Sequence, residues 1–235
     1  MNSSELRGYL TGLILGDGYI DKGITKRSFR IKTIHKDFAE QIKKDLTSCT
    51  AFNISIRYNP AYSKNGVNHK EYWELTIKSH PYFAKKYHHF FDDYKKRKAS
   101  LESLSWLTPK GLANWYMSDG YVCLVGKESG KIRERRIEIC TDRYSKENVE
   151  QIKKMLSYKF DLTVGLVKRN NCYRLRIKSD SYQKFIEIVA PYVVPSMQYK
   201  LYLGYPKKPR VLDDSGWSFQ ENLRSAIALT GEAEG

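Results

Sequence analysis

The sequence predicts an α+β fold in which one αββαββα unit occurs twice, giving two antiparallel β-sheets with the first helix of each copy packed at the centre. Three observations predict it. A tract ending in Asp-Gly-Tyr is repeated, the same order of helical and alternating periodicities runs through both halves, and the chain has 235 residues. That length suits one good core or two small ones, because domains typically run to roughly 100–200 residues.

The repeat comes first because it organises everything after it. Leu10-Thr-Gly-Leu-Ile-Leu-Gly-Asp17-Gly18-Tyr19 is echoed by Leu112-Ala-Asn-Trp-Tyr-Met-Ser-Asp119-Gly120-Tyr121, an offset of 119 − 17 = 102. Gln41-Ile-Lys-Lys44 returns as Gln151-Ile-Lys-Lys154, and Leu75-Thr-Ile-Lys-Ser79 as Leu175-Arg-Ile-Lys-Ser179, at offsets of 110 and 100. The order is kept and only the spacing varies, as when loops absorb insertions: Gly126 to Arg133 enlarges the second copy, Pro60 to His69 the first.

Residues 4–17 read as a helix. Phe29, Ile31 and Thr33 alternate with Arg30 and Lys32, the period of a half-buried strand, and Phe38, Ala39, Ile42 and Leu46 return to helical spacing. Ile54, Ile56 and Tyr58 then alternate with Ser55 and Arg57. A loop with Asn65-Gly66 leads to a strand through Trp73, Leu75 and Ile77, and a helix near 80–91 closes the unit. The second copy gives a helix at 110–119, strands near 121–125 and 133–141, a helix at 145–158, a hairpin turning at Asn170-Asn171 and a helix from about 180. The organisation expected is a first half at 1–91, a linker at 92–109, a second half at 110–204 and an appendage at 205–235.

Composition narrows the function. The chain carries 41 Lys+Arg against 26 Asp+Glu, a formal +15, which points to a polyphosphate partner. No run approaches the roughly 18–20 apolar residues that cross a bilayer, and the first residues, MNSSELRGYL, lack a basic stretch followed by an apolar core. No membrane role is expected, and an intracellular, reducing compartment is. Cys49, Cys123, Cys140 and Cys172 form no CxxC pair, so buried free thiols are favoured over a zinc site or a disulfide framework.

The repeated helix carries the candidate chemistry. Gly8, Gly12 and Gly16 are spaced four apart, on one helix face, where missing side chains let a second helix approach. Each glycine costs about 1 kcal/mol in a helix interior, so close packing must compensate. The partner expected is the second copy, with the small Asn114 and Ser118 at the matching places. Asp17 falls at the helix end before Gly18, a position suited to positive φ. An aspartate there faces a partial negative charge and unsatisfied carbonyls unless a cation is near. Asp119-Gly120 repeats the arrangement. If the helices cross closely, the carboxylates of Asp17 and Asp119 meet beside the backbone carbonyls of Gly16 and Ser118, an all-oxygen set for a hard divalent cation such as Mg²⁺. Two such cations can cleave a phosphodiester bond. Asp-Gly also forms plain turns, but two copies in matched apolar helices favour the paired site.

Leu10 to Gly18 resembles the nine-residue LAGLIDADG motif, Leu112 to Gly120 resembles its more divergent second occurrence, and Leu107-Thr-Pro109 leads into the second copy. The likeness to the LAGLIDADG homing endonucleases covers residues 4–204. It implies a single-chain, two-motif enzyme, monomeric with internal pseudo-twofold symmetry. Such an enzyme cuts both strands of a long, asymmetric double-stranded DNA site in intron homing and leaves cohesive 3′ overhangs. The resemblance assigns metal binding and catalysis to Asp17 and Asp119 with the carbonyls of Gly16 and Ser118. Mg²⁺ is the implied cofactor; Mn²⁺ would substitute and Ca²⁺ would support binding alone. It also implies a lysine in each half near the centre that polarises water or stabilises the transition-state charge: Lys200 in the second half and, at the offset 200 − 98 = 102, Lys98 in the first, where a solvated basic linker is the competing reading. The motif's sixth position, variable in the family, is Leu15 and Met117 here.

Strand alternation offers a recognition surface, because one face of each strand is basic and the other apolar. Arg30, Lys32, Arg57, Lys78, Arg135, Lys168, Arg174, Arg176 and Lys178 are the candidate DNA contacts, on sheets that together make a saddle in the major groove. Two other readings stay open: an RNA maturase acting on an intron, and a non-catalytic DNA-binding regulator. A free-standing or intron-encoded protein is expected rather than an intein.

Overall fold

The computed structural model describes residues 1–21, 26–64, 66–92, 94, 96–128 and 131–201, with side chains 123–135 outside the description. The described residues, 1–201, belong to one compact unit, with 205–235 outside the description.

Helix α1 (Ser3–Leu15) starts at a capping box in which Asn2 accepts from Ser4 and Glu5 N–H while Glu5 reaches back to Asn2 N–H. Strands β1 (Tyr19–Ile20) and β2 (Arg27–Thr33), helix α2 (Lys36–Thr47) and strand β3 (Ile54–Asn59) follow. A small hairpin of β4 (Tyr62–Lys64) and β5 (Val67–His69) precedes β6 (Tyr72–His80) and α3 (Pro81–Lys86). The linker region is not a bare connection: it folds α4 (Leu101–Trp106), capped by Ser100. The second half runs α5 (Pro109–Asp119), β7 (Gly120–Glu128), β8 (Lys131–Ile139), α6 (Lys146–Phe160), β9 (Val164–Arg169), β10 (Cys172–Ile177) and α7 (Tyr182–Val189). A final 3₁₀ segment, Pro195–Lys200, follows.

The sheets have orders β1-β2-β6-β3 and β7-β8-β10-β9, all neighbours antiparallel. Matching β1 to β7, β2 to β8, β3 to β9 and β6 to β10 makes the two orders identical, so the duplication holds at the level of topology. The fold is α+β with internal pseudo-twofold symmetry. The β4-β5 hairpin, at the expected insertion between Pro60 and His69, is the first half's addition. Its turn places Gly66 at φ +74°, a left-handed conformation that glycine adopts without penalty.

Strand alternation decides which face is buried. Phe29, Ile31, Leu75 and Ile77 point into the core, against Phe38, Ile42 and Leu46 of α2 and Phe83 of α3. Ile137, Ile139, Leu175 and Ile177 do the same in the second half against Val149, Ile152 and Leu156 of α6 and Phe185 of α7. Each such side chain contributes about 1.5–3 kcal/mol on burial. The opposite faces, with Arg30, Lys32 and Arg57 on one sheet and Arg174, Arg176 and Lys178 on the other, meet solvent.

Helices α1 and α5 pack directly against each other, and their approach explains the glycines. A Cβ on Gly12 would lie 1.8 Å from the Gly111 carbonyl oxygen, and one on Gly111 2.1 Å from that of Gly8. Both would collide with backbone, which cannot step aside. The small residue opposite Gly8 and Gly12 is thus Gly111, one turn before the expected Asn114. Ser118 does face Gly16, with its Cβ 2.6 Å from where a Cβ on Gly16 would be. Among the described residues no helix is long and apolar enough to cross a membrane.

Candidate active site

Helix α1 ends at Leu15, so Asp17 lies just beyond it, whereas Asp119 is the last residue of α5. Gly18 and Gly120 follow, and neither has the positive φ expected of it. They are required by proximity instead: a Cβ on Gly18 would meet Leu13 O at 2.5 Å and Phe29 at 2.6 Å, and one on Gly120 the Tyr116 ring at 1.9 Å.

The two carboxylates are brought together. Burial pushes the Asp119 carboxyl up to about 6, the neighbouring charge of Asp17 adds to the rise, and Arg143 and Arg97 oppose it. A largely buried carboxyl held beside a second acid is the electrostatic signature of a place for cations. Three of the positive groups here come from the protein. Arg143, in the turn between β8 and α6, pairs with Asp17 at 3.3 Å, and both side chains are about half-exposed. Arg97 donates to the carbonyls of Ile14 and, at 2.6 Å, Gly18. Lys200 donates to Met117 O at 2.5 Å and lies 3.5 Å from Ser118 O. Burial lowers the pKa of Lys200, against the pull of Asp119 and Asp17.

These contacts also settle the orphan carbonyls that every helix end leaves. Arg97 takes Ile14 O, Tyr144 Oη takes Leu15 O at 3.0 Å, and Lys200 takes Met117 O. The resemblance assigned the first-half basic position to Lys98; in the structure it is the neighbouring Arg97 that reaches the end of α1. Phe91 and Arg97 form an isolated bridge, so the extended backbone there alternates its side chains. Arg97 turns to the end of α1. Lys200 sits where expected, at the end of α5. Arg97, Arg143 and Tyr144 were missed: Arg97 was hidden in a basic run, and nothing in the β8–α6 turn distinguishes its arginine and tyrosine by spacing.

The donor set suits a divalent metal. Asp17, Asp119 and the carbonyls of Gly16 and Ser118 are all hard oxygen donors, and Mg²⁺ prefers such ligands, with several waters retained. No group of three or more His, Cys, Asp or Glu side chains that could hold a metal occurs among the described residues, so two carboxylates with backbone oxygens are the available arrangement.

On the open faces, Arg30, Lys32, Arg57, Lys78 and Lys178 are exposed, whereas Lys168, also exposed, falls on the side of β9 that carries Val164 and Leu166. Lys32 pairs with Glu74 at 3.5 Å and lies over the Tyr72 ring. Arg174 and Arg176 are engaged within the protein. Arg174 grips Asp142 at 2.7 and 2.5 Å, and Arg176 grips Glu138 at 2.7 and 3.1 Å. Glu138 is fully buried on this polar face; despite the upward push of burial, its pKa is lowered by the Tyr121 hydroxyl, Arg176 and Arg169. The Arg135 side chain lies outside the described residues.

Comparison with known proteins agrees with this geometry. The model of the LAGLIDADG DNA endonuclease family matches residues 7–185. The chain is 28% identical to probable intron-encoded endonuclease 1 of Wickerhamomyces canadensis over 82% of this chain and 81% of that one. It is 25% identical to the DNA endonuclease I-ChuI of Chlamydomonas applanata, over 85% and 95%. Its fold matches that of the homing endonuclease I-WcaI bound to its DNA recognition sequence, with a TM-score of 0.70 at 24% identity over 86% of this chain and 88% of that one. Two motif helices in contact, two identically ordered sheets and a family match across 7–185 lead to one conclusion: the chain belongs to the LAGLIDADG DNA endonuclease family.

Proposed function

We propose that this protein is a monomeric, site-specific homing endonuclease that hydrolyses both strands of a long, asymmetric double-stranded DNA target and leaves cohesive 3′ overhangs. One observation carries the reading: Asp17 and Asp119 converge at the ends of two helices packed backbone to backbone, and burial with mutual repulsion pushes Asp119 up to about 6.

Asp17, Asp119 and the carbonyls of Gly16 and Ser118 would hold divalent cations, with Mg²⁺ as the natural ion and Mn²⁺ as a substitute. Bound there, such ions supply positive charge for the phosphodiester oxygens during displacement. The chain's own groups do the rest. Lys200 places an ammonium beside both carboxylates, at the edge of a cavity of about 610 Å³ that also reaches Asp17 and Ser118. Arg143 pairs with Asp17, the carboxylate that would hold a cation, and balances part of its charge. Arg97 and Tyr144 fix the end of α1, so that Asp17 keeps its position.

Double-stranded DNA is the partner because the two basic sheet faces flank the carboxylates. A second cavity, of about 430 Å³, joins Arg30 and Lys32 directly to Asp17 and Arg143. Arg30, Arg57, Lys78 and Lys178 are exposed to meet phosphates and base edges, with Lys32 beside them in its pair with Glu74, while Arg174 and Arg176 brace the second sheet through Asp142 and Glu138. Phosphate contacts of this number make affinity fall steeply with salt.

The reading is tested by selecting cleaved members of a randomised double-stranded library in Mg²⁺, with Ca²⁺ as a binding-only control. Recovery of one long site cut on both strands in Mg²⁺, and bound but uncut in Ca²⁺, is expected. Salt-sensitive binding without cutting in either ion would replace the nuclease with a regulator, and preference for folded intron RNA would replace it with a maturase.

A further inference from the structure

The cavity that reaches Asp17 and Ser118 and the one that reaches Asp119 are lined differently. The larger, of about 610 Å³, is bounded by Asp17, Ser118, Lys200, His35 and the rings of Tyr62 and His69. Tyr62 and His69 stack at 4.5 Å on the hairpin found only in the first half. The smaller, of about 130 Å³, is bounded by Asp119, Arg97, Asp142, Arg143 and Tyr144, with no histidine in its lining.

His35 stands just before α2 but does not cap it. Its ring is held by Ser196, from the other half of the chain. Ser196 Oγ is 2.8 Å from His35 Nδ1 and 2.6 Å from Asp37 Oδ1, and Ser196 N–H donates to Asp37 Oδ2 at 2.9 Å. A hydroxyl has one hydrogen, and an ionised carboxylate can only accept. The Ser196 proton therefore goes to Asp37, and the hydroxyl oxygen accepts from His35 Nδ1–H. That count sets the tautomer and leaves Nε2 as an acceptor. In the second half the corresponding residue before α6 is Ser145, whose side chain accepts from Asn148 N–H. The relay has no counterpart there.

We propose that His35, oriented by the Asp37–Ser196–His35 chain, is a further catalytic residue on one side of the centre only. Its Nε2 accepts a hydrogen bond from the water held against the phosphate of the strand that enters the larger cavity. A phosphate oxygen only accepts, so it cannot itself be the partner of a neutral Nε2. The groups facing this imidazole are Asp37 on its own helix, Lys200 and the Tyr199 ring, 6.1 Å away, from the last 3₁₀ segment, and Asp17 and Lys32 around the cavity. Burial lowers the pKa of His35, Asp37 opposes and Lys200 reinforces, so Nε2 is available near neutral pH.

The inference rests on the nuclease reading, and the experiment separates the two. In the full-length protein, ¹H–¹⁵N spectra of the imidazoles should show His35 protonated on Nδ1, and Ser196→Ala should remove that preference. In strand-resolved cleavage, His35→Ala and His35→Gln should slow one strand on the order of tenfold or more and the other by less than about twofold. Nicked DNA should then accumulate, and Ser196→Ala should shift the rates the same way. A wild type that cuts both strands while His35→Gln slows both equally, or neither, overturns this inference alone, as does an Nε2–H tautomer. A wild type that cuts neither strand overturns the nuclease reading and this inference with it.

Discussion

Asp119 ends α5 in a half-closed position next to Asp17, and its carboxyl is displaced from an ordinary 3.8 to about 6. The folded value lies above the unfolded one, so between about pH 4 and pH 6 the folded protein binds the extra proton. Stability falls as pH rises through that interval, and above pH 6 the ionised form costs on the order of 2–3 kcal/mol. Asp119→Asn should therefore raise the Tm of the metal-free protein by roughly 5–10 °C at pH 7.5 and by almost nothing near pH 4. Thermal melts across that range check it, and a gain independent of pH would mean that repulsion is not the cause. The two arginines at the centre should separate in the opposite sense. Arg97→Ala strands two backbone carbonyls and should cost about 2 kcal/mol or more, while Arg143→Ala, losing a solvent-screened pair with Asp17, should cost less than about 1 kcal/mol by denaturant unfolding. The pairing of Asp17 with Asp119 was legible in the sequence because the repeat marked it twice, and Lys200 was singled out by resemblance; the structure places its charge near both carboxylates. Arg97 was not, because a one-residue shift in an extended segment reverses which side chain points inward.

At the scale of elements, the contact between α1 and α5 holds the two halves in one unit. Gly111→Ala would drive a Cβ to about 2.1 Å from the Gly8 carbonyl. Backbone cannot move aside without separating the helices, so this substitution should cost more than about 3 kcal/mol and broaden the unfolding transition. Gly66→Ala, in open space at positive φ, should cost about 1 kcal/mol. The alternation of β2, β6 and β10 gave the buried and open faces correctly, since period two assigns faces without reference to partners. Which basic residues are engaged was not legible. Arg174 and Arg176 find Asp142 and Glu138 across strands or from a turn, and sequence spacing does not encode those neighbours. Glu138→Gln leaves Arg169 and Arg176 without their buried carboxylate and should destabilise the second half by about 2–4 kcal/mol. Urea titration followed by a probe in that half measures it.

At the scale of the molecule, identical strand orders make the halves equivalent in frame, and their linings make them unequal in chemistry. Lys200 faces Arg97 as its counterpart, Ser145 stands where His35 stands, and the β4-β5 hairpin belongs to one half alone. This asymmetry suits a target whose two sides differ. The formal +15 charge and the exposed basic rows predict that DNA affinity falls between 50 and 200 mM salt by roughly 10³-fold or more if about six phosphates are contacted. Fluorescence anisotropy would show a slope near zero if the sheet faces were not the interface.

The central claim is that two carboxylates, one from each half, act together at one centre. The most direct measurement is strand-resolved cleavage of the selected site in Mg²⁺ by wild type, Asp17→Asn and Asp119→Asn, with binding measured in Ca²⁺. The account predicts tight binding by all three proteins and a loss of cutting on both strands in each variant. Full activity retained by either variant, with its fold intact, would contradict it.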